Sequence, residues 1–280
     1  MLANRAQVER IRQGEEADDF YAPVTARFVE DPRRTGDAVL DALLELAMAG
    51  ERWLDVGAGA GRYALPLALR VAEVVAVEPS AAMVAALRAG MAEHRIRNLR
   101  VIEDRWPPSA DPPSADMALV AHVGYDVAPI APFLDALEGA AGRSVAVMMD
   151  TSPAAYAAPF WPIIHGEERV PLPALPELVD LLRARGADPQ VRRLPRPVRH
   201  WPDRASLLTM LRQQLWIPPG GAAEAELIAA AEQRAIAVPD GVGLLEPDGM
   251  IGIVAWRSTY DRSDVGHAEA EAARWPAQRS

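Results

Sequence analysis

The sequence predicts an α/β fold with a doubly wound, seven-stranded and mostly parallel sheet. The first reason is that short apolar runs alternate regularly with helix-period segments between residues 52 and 150. The second is a glycine-rich turn, at 57–61, that joins an apolar run directly to a helical pattern. The third is a last apolar run, MIGIVAW at 250–256, which follows a helical insertion. We therefore expect parallel strands linked by right-handed helical crossovers, with one more strand after the insertion.

The individual elements follow from periodicity and from turn residues. The predicted strands are 52–56, 73–77, 99–103, 117–122, 144–150, 190–198 and 250–256. The predicted helices around them are 36–50, 62–70, 80–91, 129–141 and 174–186. The stretch PPSADPPSAD, at 107–116, is predicted to be a loop because neither a helix nor a central strand tolerates that much proline.

Segments outside this alternation predict a lid and an insertion. Residues 1–36 show two short amphipathic patterns and are expected to form an N-terminal helical lid before a main domain at 37–258. Within that domain, residues 203–237 carry two helical patterns separated by PPGG. They predict a helical insertion between the sixth and seventh strands that would cover a ligand site. Residues 259–280 are expected to be a frayed tail.

Composition and charge restrict the classes of partner. The formal net charge is -10, and this disfavours a duplex-binding surface because affinity for phosphates comes from clustered Lys and Arg. The chain has no cysteine, which excludes disulfides, thiolate zinc sites and cysteine nucleophiles. We find no signal-peptide pattern and no apolar run of about 20 residues. We therefore expect a cytoplasmic protein without membrane contact, and its abundant Ala, Arg and Pro are typical of a GC-rich bacterial genome.

The turn DVGAGAG places three glycines at every second position between a strand and a helix. Gly57, Gly59 and Gly61 let the backbone turn sharply and come within contact distance of a ligand at the helix N-terminus. A dinucleotide-binding fingerprint requires G-x-G-x-x-G, but the residue three positions after Gly59 is Arg62. NAD or another nucleotide is therefore an open alternative and not the favoured ligand.

Two acidic residues bracket this turn. Asp55 lies just before Gly57 and brings a carboxylate that would repel a pyrophosphate but attract an ammonium group. Glu78 lies about 20 residues after Gly57, at the end of the second strand, where a carboxylate can accept two hydrogen bonds from ribose hydroxyls. Two acids beside a glycine turn suit a sulfonium ligand with an amino-acid tail better than they suit a diphosphate.

The stretches LDVGAGAGR, VAVEPS and VIEDRW resemble motifs of the class I S-adenosylmethionine-dependent methyltransferases, a Rossmann-like superfamily. The resemblance implies S-adenosyl-L-methionine as cofactor, S-adenosyl-L-homocysteine as product, and an antiparallel seventh strand at 250–256. It also implies that Asp104 contacts the adenine amino group and that Trp106 lies beside the adenine. The cofactor-binding residues implied in this way are Asp55, Gly57, Gly59, Gly61, Glu78, Asp104, Trp106 and Ala121.

The acceptor-facing segment of this superfamily follows the fourth strand, where this sequence reads AHVGYDVAPI. His122 is the candidate general base, because the unperturbed pKa of an imidazole lies near neutrality. A histidine at a strand end is also commonly a packing or backbone-bonding residue, so that alternative stays open. The candidate substrate contacts are Tyr125 in this segment and three large side chains on segments that could close over the site, namely Tyr21, Trp161 and His165. The alternative for each of them is packing between lid and core.

The five histidines show no paired ligand spacing, so no metal site is predicted. The residues and the resemblance together predict a methyltransferase that moves a methyl group in line from S-adenosylmethionine to a small-molecule acceptor. No nucleic-acid partner is expected. A protein or RNA acceptor, and a non-catalytic protein that binds S-adenosylmethionine or a nucleotide, are the alternatives.

Overall fold

The structure is a computed structural model, and it describes residues 2–12, 19, 21–151, 157–196, 200–244 and 249–258. The strands are β1 (Arg52–Val56), β2 (Glu73–Val77), β3 (Leu99–Ile102), β4 (Ala115–Ala121), β5 (Ala141–Met149), β6 (Gln190–Pro195), β7 (His200–Trp201), β8 (Ala235–Val238), β9 (Gly241–Leu244) and β10 (Met250–Arg257). The helices are α1 (Leu2–Arg12), α2 (Ala38–Leu46), α3 (Ala64–Ala68), α4 (Ala81–His94), α5 (Ile130–Ala140), α6 (Trp161–His165), α7 (Leu175–Ala184), α8 (Arg204–Leu215) and α9 (Ala222–Arg234). Short 3-10 helices lie at Ala22–Phe28 and Ala158–Phe160.

Seven of these strands form one sheet in the order β3-β2-β1-β4-β5-β10-β6. β1 pairs in parallel with β2 and with β4. β10 lies between β5 and β6 and is antiparallel to both. The predicted doubly wound, seven-stranded and mostly parallel fold is therefore confirmed, and its last strand has the antiparallel direction that the resemblance implied.

The central strands are covered on both faces, and their order creates a crevice. β1 and β2 each contain four consecutive buried residues, as expected for parallel strands packed between two layers of helices. β2 and β3 lie on one side of β1, and β4 lies on the other side, so the strand order reverses at β1. Open α/β sheets bind ligands where the strand order reverses in this way, at the carboxyl ends of the strands. The glycine turn follows β1 and therefore lies at this crevice.

A second hydrophobic cluster lies outside the core of the sheet. Its largest fully buried side chains are Phe160, Trp161 and Trp201, and apolar residues of α8 and α9 pack around them. Val8 and Ile11 of α1 also pack against this cluster. We call α1, α6, α8, α9 and the small sheet formed by β7, β9 and β8 the cap.

The cap is attached at the carboxyl edge of the main sheet. The segment with α6 follows the end of β5, and the segment with α8 and α9 joins the end of β6 to the start of β10. α1 joins it through side-chain amides, because Gln7 donates to the carbonyl of Glu168 and accepts from the amide of Val170, both at 2.8 Å. The cap and the crevice therefore share one edge of the sheet.

The insertion differs from the predicted pair of helices. α8 and α9 form as expected, but β7, β9 and β8 add a three-stranded antiparallel sheet. β8 and β9 form a hairpin with Pro239 and Asp240 in its loop, followed by Gly241 at φ +138°. Pro-Asp-Gly is a local turn signal, and the helical interpretation of the insertion does not account for it.

Other elements are shorter than predicted. The helix expected at 62–70 is reduced to α3, and the second N-terminal helical pattern forms the 3-10 helix at Ala22–Phe28, which contains Pro23 in its first turn. The predicted tail at 259–280 lies outside the described residues. Among the residues that are described, no helix is both long and apolar enough to cross a bilayer.

Candidate functional site

The glycine turn is anchored to both neighbouring strands. The amides of Gly57 and Ala58 donate to the carbonyl of Val77 at the end of β2, at 2.8 and 3.3 Å. A Cβ atom on Gly57 would overlap the side chain of Val123, so the turn also packs on the loop after β4. Gly59 has a φ of +56°, and a Cβ atom there would meet nothing within 4 Å. The turn therefore requires glycine for its conformation and leaves open space beside Gly59 for a ligand.

Glu78 joins the glycine turn to the first turn of α4. One oxygen of its carboxylate accepts the amide of Gly59 at 2.8 Å, and the other accepts the amide of Ser80 at 2.9 Å. The residue is only 5% exposed. Burial raises its pKa, and the two backbone hydrogen bonds act in the opposite direction. Each carboxylate oxygen keeps a second lone pair, so ribose hydroxyls can still donate to it.

Asp55 is a buried carboxylate with an unsatisfied oxygen. Its exposed fraction is 1%, and its Oδ1 atom has no hydrogen-bond partner in the part of the chain that the structure describes. Burial, and next the negative charge of Glu78, raise the pKa of Asp55 to about 7, although a backbone hydrogen bond from Ala64 opposes this. A buried charge with an unpaired oxygen is costly. We therefore expect a bound cationic hydrogen-bond donor to stabilise the ionised carboxylate of Asp55.

No basic side chain among the described residues contributes to the pKa of Asp55 or of Glu78. Arg62, which is next to the turn in sequence, points to the N-terminal segment. Its guanidinium pairs with Glu30 at 3.0 Å and with Asp37 at 3.1 Å. The two acids therefore repel each other without internal compensation, and the turn favours a positively charged ligand over a pyrophosphate.

The N-terminal segment reaches the site through Asp19. Its carboxylate accepts the hydroxyl of Ser80 at 2.8 and 3.0 Å and the amide of Ala82 at 3.1 Å, at the first turn of α4. Burial acts to raise the pKa of Asp19, but the hydrogen bonds from Ala82 and Ser80 outweigh it and lower the pKa. Sequence reasoning missed this residue, because an aspartate in the acidic run EEADD carries no signal of its distant partner.

Tyr21 lies at the mouth of the same site. It is 42% exposed, and its ring packs edge-on against Phe28 with the centroids 5.9 Å apart. Packing around the phenol raises its pKa, and the negative charges of Glu78, Asp126 and Asp19 raise it further. The structure thus brings this predicted substrate contact to the acidic side of the crevice.

Asp104 and Trp106 organise the loop after β3. The carboxylate of Asp104 accepts the amides of Ser109 and Arg105, both at 2.7 Å, and these bonds lower its pKa. The indole nitrogen of Trp106 donates to the carbonyl of Phe133 in α5 at 3.1 Å. Both residues lie in the loop that follows β3. Each of them is already tied to backbone groups of the protein.

His122 directly follows Ala121, the last residue of β4, and adopts a left-handed conformation with φ +56°. Its Nδ1 atom lies 3.0 Å from the hydroxyl of Tyr125, and that hydroxyl accepts the amide of Met149 at 2.9 Å. The hydroxyl proton is therefore best directed at Nδ1, which places the imidazole proton on Nε2. Strained backbone that survives at a strand end is a common feature of functional sites.

Trp161 and His165 lie inside the cap. Trp161 is fully buried, and its ring is 4.5 Å from the ring of His165, centroid to centroid. The Nε2 atom of His165 donates to the carbonyl of Leu215 at 3.0 Å, and burial lowers the pKa of this histidine. In this conformation the two residues connect α6 to α8 inside the cap. Within the described ranges, no group of three or more acidic or histidine side chains is placed to bind a metal.

Comparison with known proteins agrees with this geometry. Residues 54–142 match a family model described as a methyltransferase domain. No curated protein sequence is significantly similar to the chain. Many solved structures are similar in fold. One is a SAM-dependent methyltransferase from Thiobacillus denitrificans in complex with S-adenosyl-L-homocysteine, with 15% identity, a TM-score of 0.56, and coverage of 87% of this chain and 99% of that one.

Two further structures show the range of proteins that share the fold. Magnesium protoporphyrin IX methyltransferase from Synechocystis PCC 6803 is 14% identical, with a TM-score of 0.50 over 91% of this chain and 94% of its own. The [4+2]-cyclase SpnF is 15% identical, with a TM-score of 0.51 over 82% of this chain and 85% of its own. Similarity at this level establishes only the fold. The family match covers the glycine turn and β1 to β4, so this part of the chain is similar to a methyltransferase domain, and the similar structures show that the sheet around it has the fold of such enzymes.

Proposed function

We propose that the protein transfers the methyl group of S-adenosyl-L-methionine to a small-molecule acceptor. The observation that carries the proposal is the pair of buried acids, Asp55 and Glu78, which flank an open glycine turn without a basic partner among the described residues. When it is bound, the donor supplies an activated methyl group on a positively charged sulfonium. A cationic ligand with a ribose satisfies both acids, whereas a neutral or anionic nucleotide satisfies only Glu78.

In this proposal, the residues of the turn hold the donor by its two ends. Glu78 accepts the ribose hydroxyls while it keeps the amides of Gly59 and Ser80 in place. Asp55 offsets the charge of the ammonium group from beneath the turn. Asp104 and Trp106 would bind the adenine end, and Ala121, at the end of β4, would also contact the donor.

The cap supports a small-molecule acceptor. It has its own hydrophobic cluster and is attached to the edge of the sheet where the crevice lies. Covering a site excludes water and favours ligands that can be enclosed. A net charge of -10 disfavours an RNA acceptor, because RNA binding depends on cationic contacts to phosphates.

His122 is the proposed catalytic residue on the acceptor side. Because its Nδ1 atom accepts from Tyr125, the neutral imidazole carries its proton on Nε2. It is therefore suited to bind an oxygen of the acceptor and orient it for in-line attack. To act as a general base at Nε2, it would have to give up the hydrogen bond from Tyr125.

We expect His122→Asn to lower kcat about 100-fold. Asparagine tolerates the left-handed backbone that His122 adopts, so this variant removes the imidazole without adding the strain that alanine would. Affinity for S-adenosylhomocysteine should stay within about threefold of wild type, measured by calorimetry, because the residue lies on the acceptor side. A variant with full turnover would remove His122 from the mechanism.

Tyr125→Phe is the matched control for the hydrogen bond itself. It leaves the imidazole in place but removes its partner, so we expect a smaller loss of about tenfold in kcat and a kcat–pH profile that differs from that of wild type. It also leaves the amide of Met149 without its acceptor, which should cost about 1 kcal/mol of stability. An unchanged pH profile would show that Tyr125 does not control the protonation of His122.

Labelled S-adenosylmethionine tests the acceptor class. The protein is incubated with methyl-labelled donor and with separated metabolite, protein and RNA fractions, and label is followed in each. Label in a small molecule supports the proposal, whereas label only in protein or RNA contradicts it. Binding of S-adenosylhomocysteine without any transfer would favour the second candidate, a protein that uses the fold for binding or for other chemistry. SpnF, a [4+2]-cyclase, is an example of a different reaction on a similar fold.

A further inference from the structure

Two buried hydrogen-bond donors, one in α6 of the cap and one in the loop that follows α6, have no acceptor among the described residues. The Nε atom of Arg169 and the Nε1 atom of Trp161 are both buried, and neither has a hydrogen-bond partner among the described residues. They belong to one small region, because the guanidinium carbon of Arg169 lies 4.8 Å from the centroid of the Trp161 ring. Unsatisfied buried groups are rare in native proteins, and each requires an explanation. Two neighbouring hydrogen-bond donors without acceptors are suited to a ligand group that only accepts hydrogen bonds.

The charge of Arg169 is also uncompensated. Burial lowers its pKa, and no carboxylate of the described residues acts in the opposite direction. Arg34 and Arg185 each have an unpartnered nitrogen as well, but each pairs with an aspartate, at 3.0 and 2.7 Å respectively. The Trp161 ring stabilises the guanidinium through a cation–π contact, yet it accepts no hydrogen bond from Nε. A protein with a net charge of -10 thus keeps a half-buried cation beside a second orphaned donor.

We infer that Arg169 and Trp161 form an oxyanion site, which binds a carboxylate or phosphate group of the acceptor. This inference rests on the proposed function for the identity of the ligand, because the cap lies at the same edge of the sheet as the crevice. An oxyanion has several acceptor oxygens and no donor, so one group can satisfy both side chains and neutralise the guanidinium. The two orphaned donors are covered in this conformation, so binding requires the neighbouring side chains to move.

Thermal melting of the full chain tests the site without an identified acceptor. The probes are sodium phosphate and sodium acetate, compared with sodium chloride at equal ionic strength. We expect at least one oxyanion to raise Tm by about 3 to 5 °C over chloride, as millimolar binding to the folded state would. A shift with phosphate alone indicates a phosphoryl group, and a shift with acetate indicates a carboxylate.

Three variants locate the effect. Arg169→Met keeps an unbranched apolar side chain on Trp161 but removes the charge, so the oxyanion-specific shift should disappear. Trp161→Phe removes the indole donor together with part of the ring, so the shift is measured relative to the Tm of this variant in chloride, and it should be smaller than in wild type. Arg234→Met is the control, because Arg234 also lies over a cap aromatic, 5.9 Å from the Phe160 centroid, and it should leave the shift unchanged.

The inference is overturned if no oxyanion exceeds chloride, or if the shift survives in both Arg169→Met and Trp161→Phe. S-adenosylhomocysteine binding, measured by calorimetry on the same variants, separates this result from the proposed function. We expect that binding to be unchanged in Arg169→Met, since the cofactor turn lies in the other hydrophobic unit. Loss of anion binding with intact cofactor binding therefore tests the cap site alone.

Discussion

Asp55→Asn is expected to weaken binding of S-adenosylmethionine about 30-fold while it stabilises the ligand-free protein. The binding loss follows from removing the charge that offsets the ligand's ammonium group, a contribution of about 2 kcal/mol. The gain in stability has the same origin, because Asp55 is buried, has no basic partner among the described residues and is repelled by Glu78. Removing such a charge at pH 8 should raise the unfolding free energy by an amount on the order of 2 kcal/mol.

The direction of the pKa shift of Asp55 determines how stability and ligand affinity change with pH. The pKa of Asp55 is about 7 in the folded chain, well above its value in an unfolded one. Between these two values the folded state binds more protons, so the contribution of Asp55 to stability falls as pH rises toward 7. Ligand affinity changes in the opposite direction, because a cation prefers the ionised carboxylate. We expect affinity for S-adenosylmethionine to rise up to tenfold per pH unit below 7, and to level off above it.

Adenosine is the matched ligand for this measurement, since it has the ribose and the base but no ammonium group. Calorimetry from pH 5.5 to 8.5 should show that Asp55→Asn leaves adenosine affinity nearly unchanged and flattens the pH dependence for S-adenosylmethionine. An equal loss for both ligands would mean that Asp55 acts by shaping the turn. In that case, the charge argument for the cofactor would fail.

The features that can be predicted from the sequence are those that depend on residues close together in the chain. Buried parallel strands are continuous apolar runs, so β1 and β2 have the predicted bounds, Arg52–Val56 and Glu73–Val77. The spacing of Asp55 and Glu78 around the turn is equally local, and it is sufficient to predict a cationic ligand. The spacing does not show how deeply each acid is buried or which charges lie near it. The pKa of Asp55 depends on its burial and on the proximity of β2, which pairs Asp55 with Ala76.

The unpredicted part depends on contacts between distant segments. The cap unites α1 with a segment near residue 170 through Gln7, and no periodicity in either segment signals the other. The same applies to Asp19, which reaches the first turn of α4. Sequence reasoning treats Trp161 and His165 as possible walls of the site because large aromatic groups on a lid fit that role. In the structure both residues pack inside the cap, and this packing depends on several segments that are distant in the sequence.

Glu78→Ala is expected to weaken binding of both S-adenosylhomocysteine and adenosine about 100-fold. Two losses combine, because the variant removes the acceptors for the ribose and also leaves the amides of Gly59 and Ser80 without partners. Together these correspond to about 3 kcal/mol. The same change removes the charge that raises the pKa of Asp55, so the pH at which the remaining affinity levels off should move below 7.

Glu78→Gln separates the two losses. Its amide oxygen can accept only one of the two backbone amides well, while its NH₂ group faces the other donor, so we expect an intermediate loss of about tenfold for both ligands. Because adenosine lacks the ammonium group, it responds to Glu78 and not to Asp55. The Glu78 variants should therefore weaken binding of both ligands alike, whereas Asp55→Asn should weaken only the ligand that carries the ammonium group. If Glu78→Ala leaves adenosine affinity intact, the ribose is bound elsewhere and the acid serves only to hold the turn.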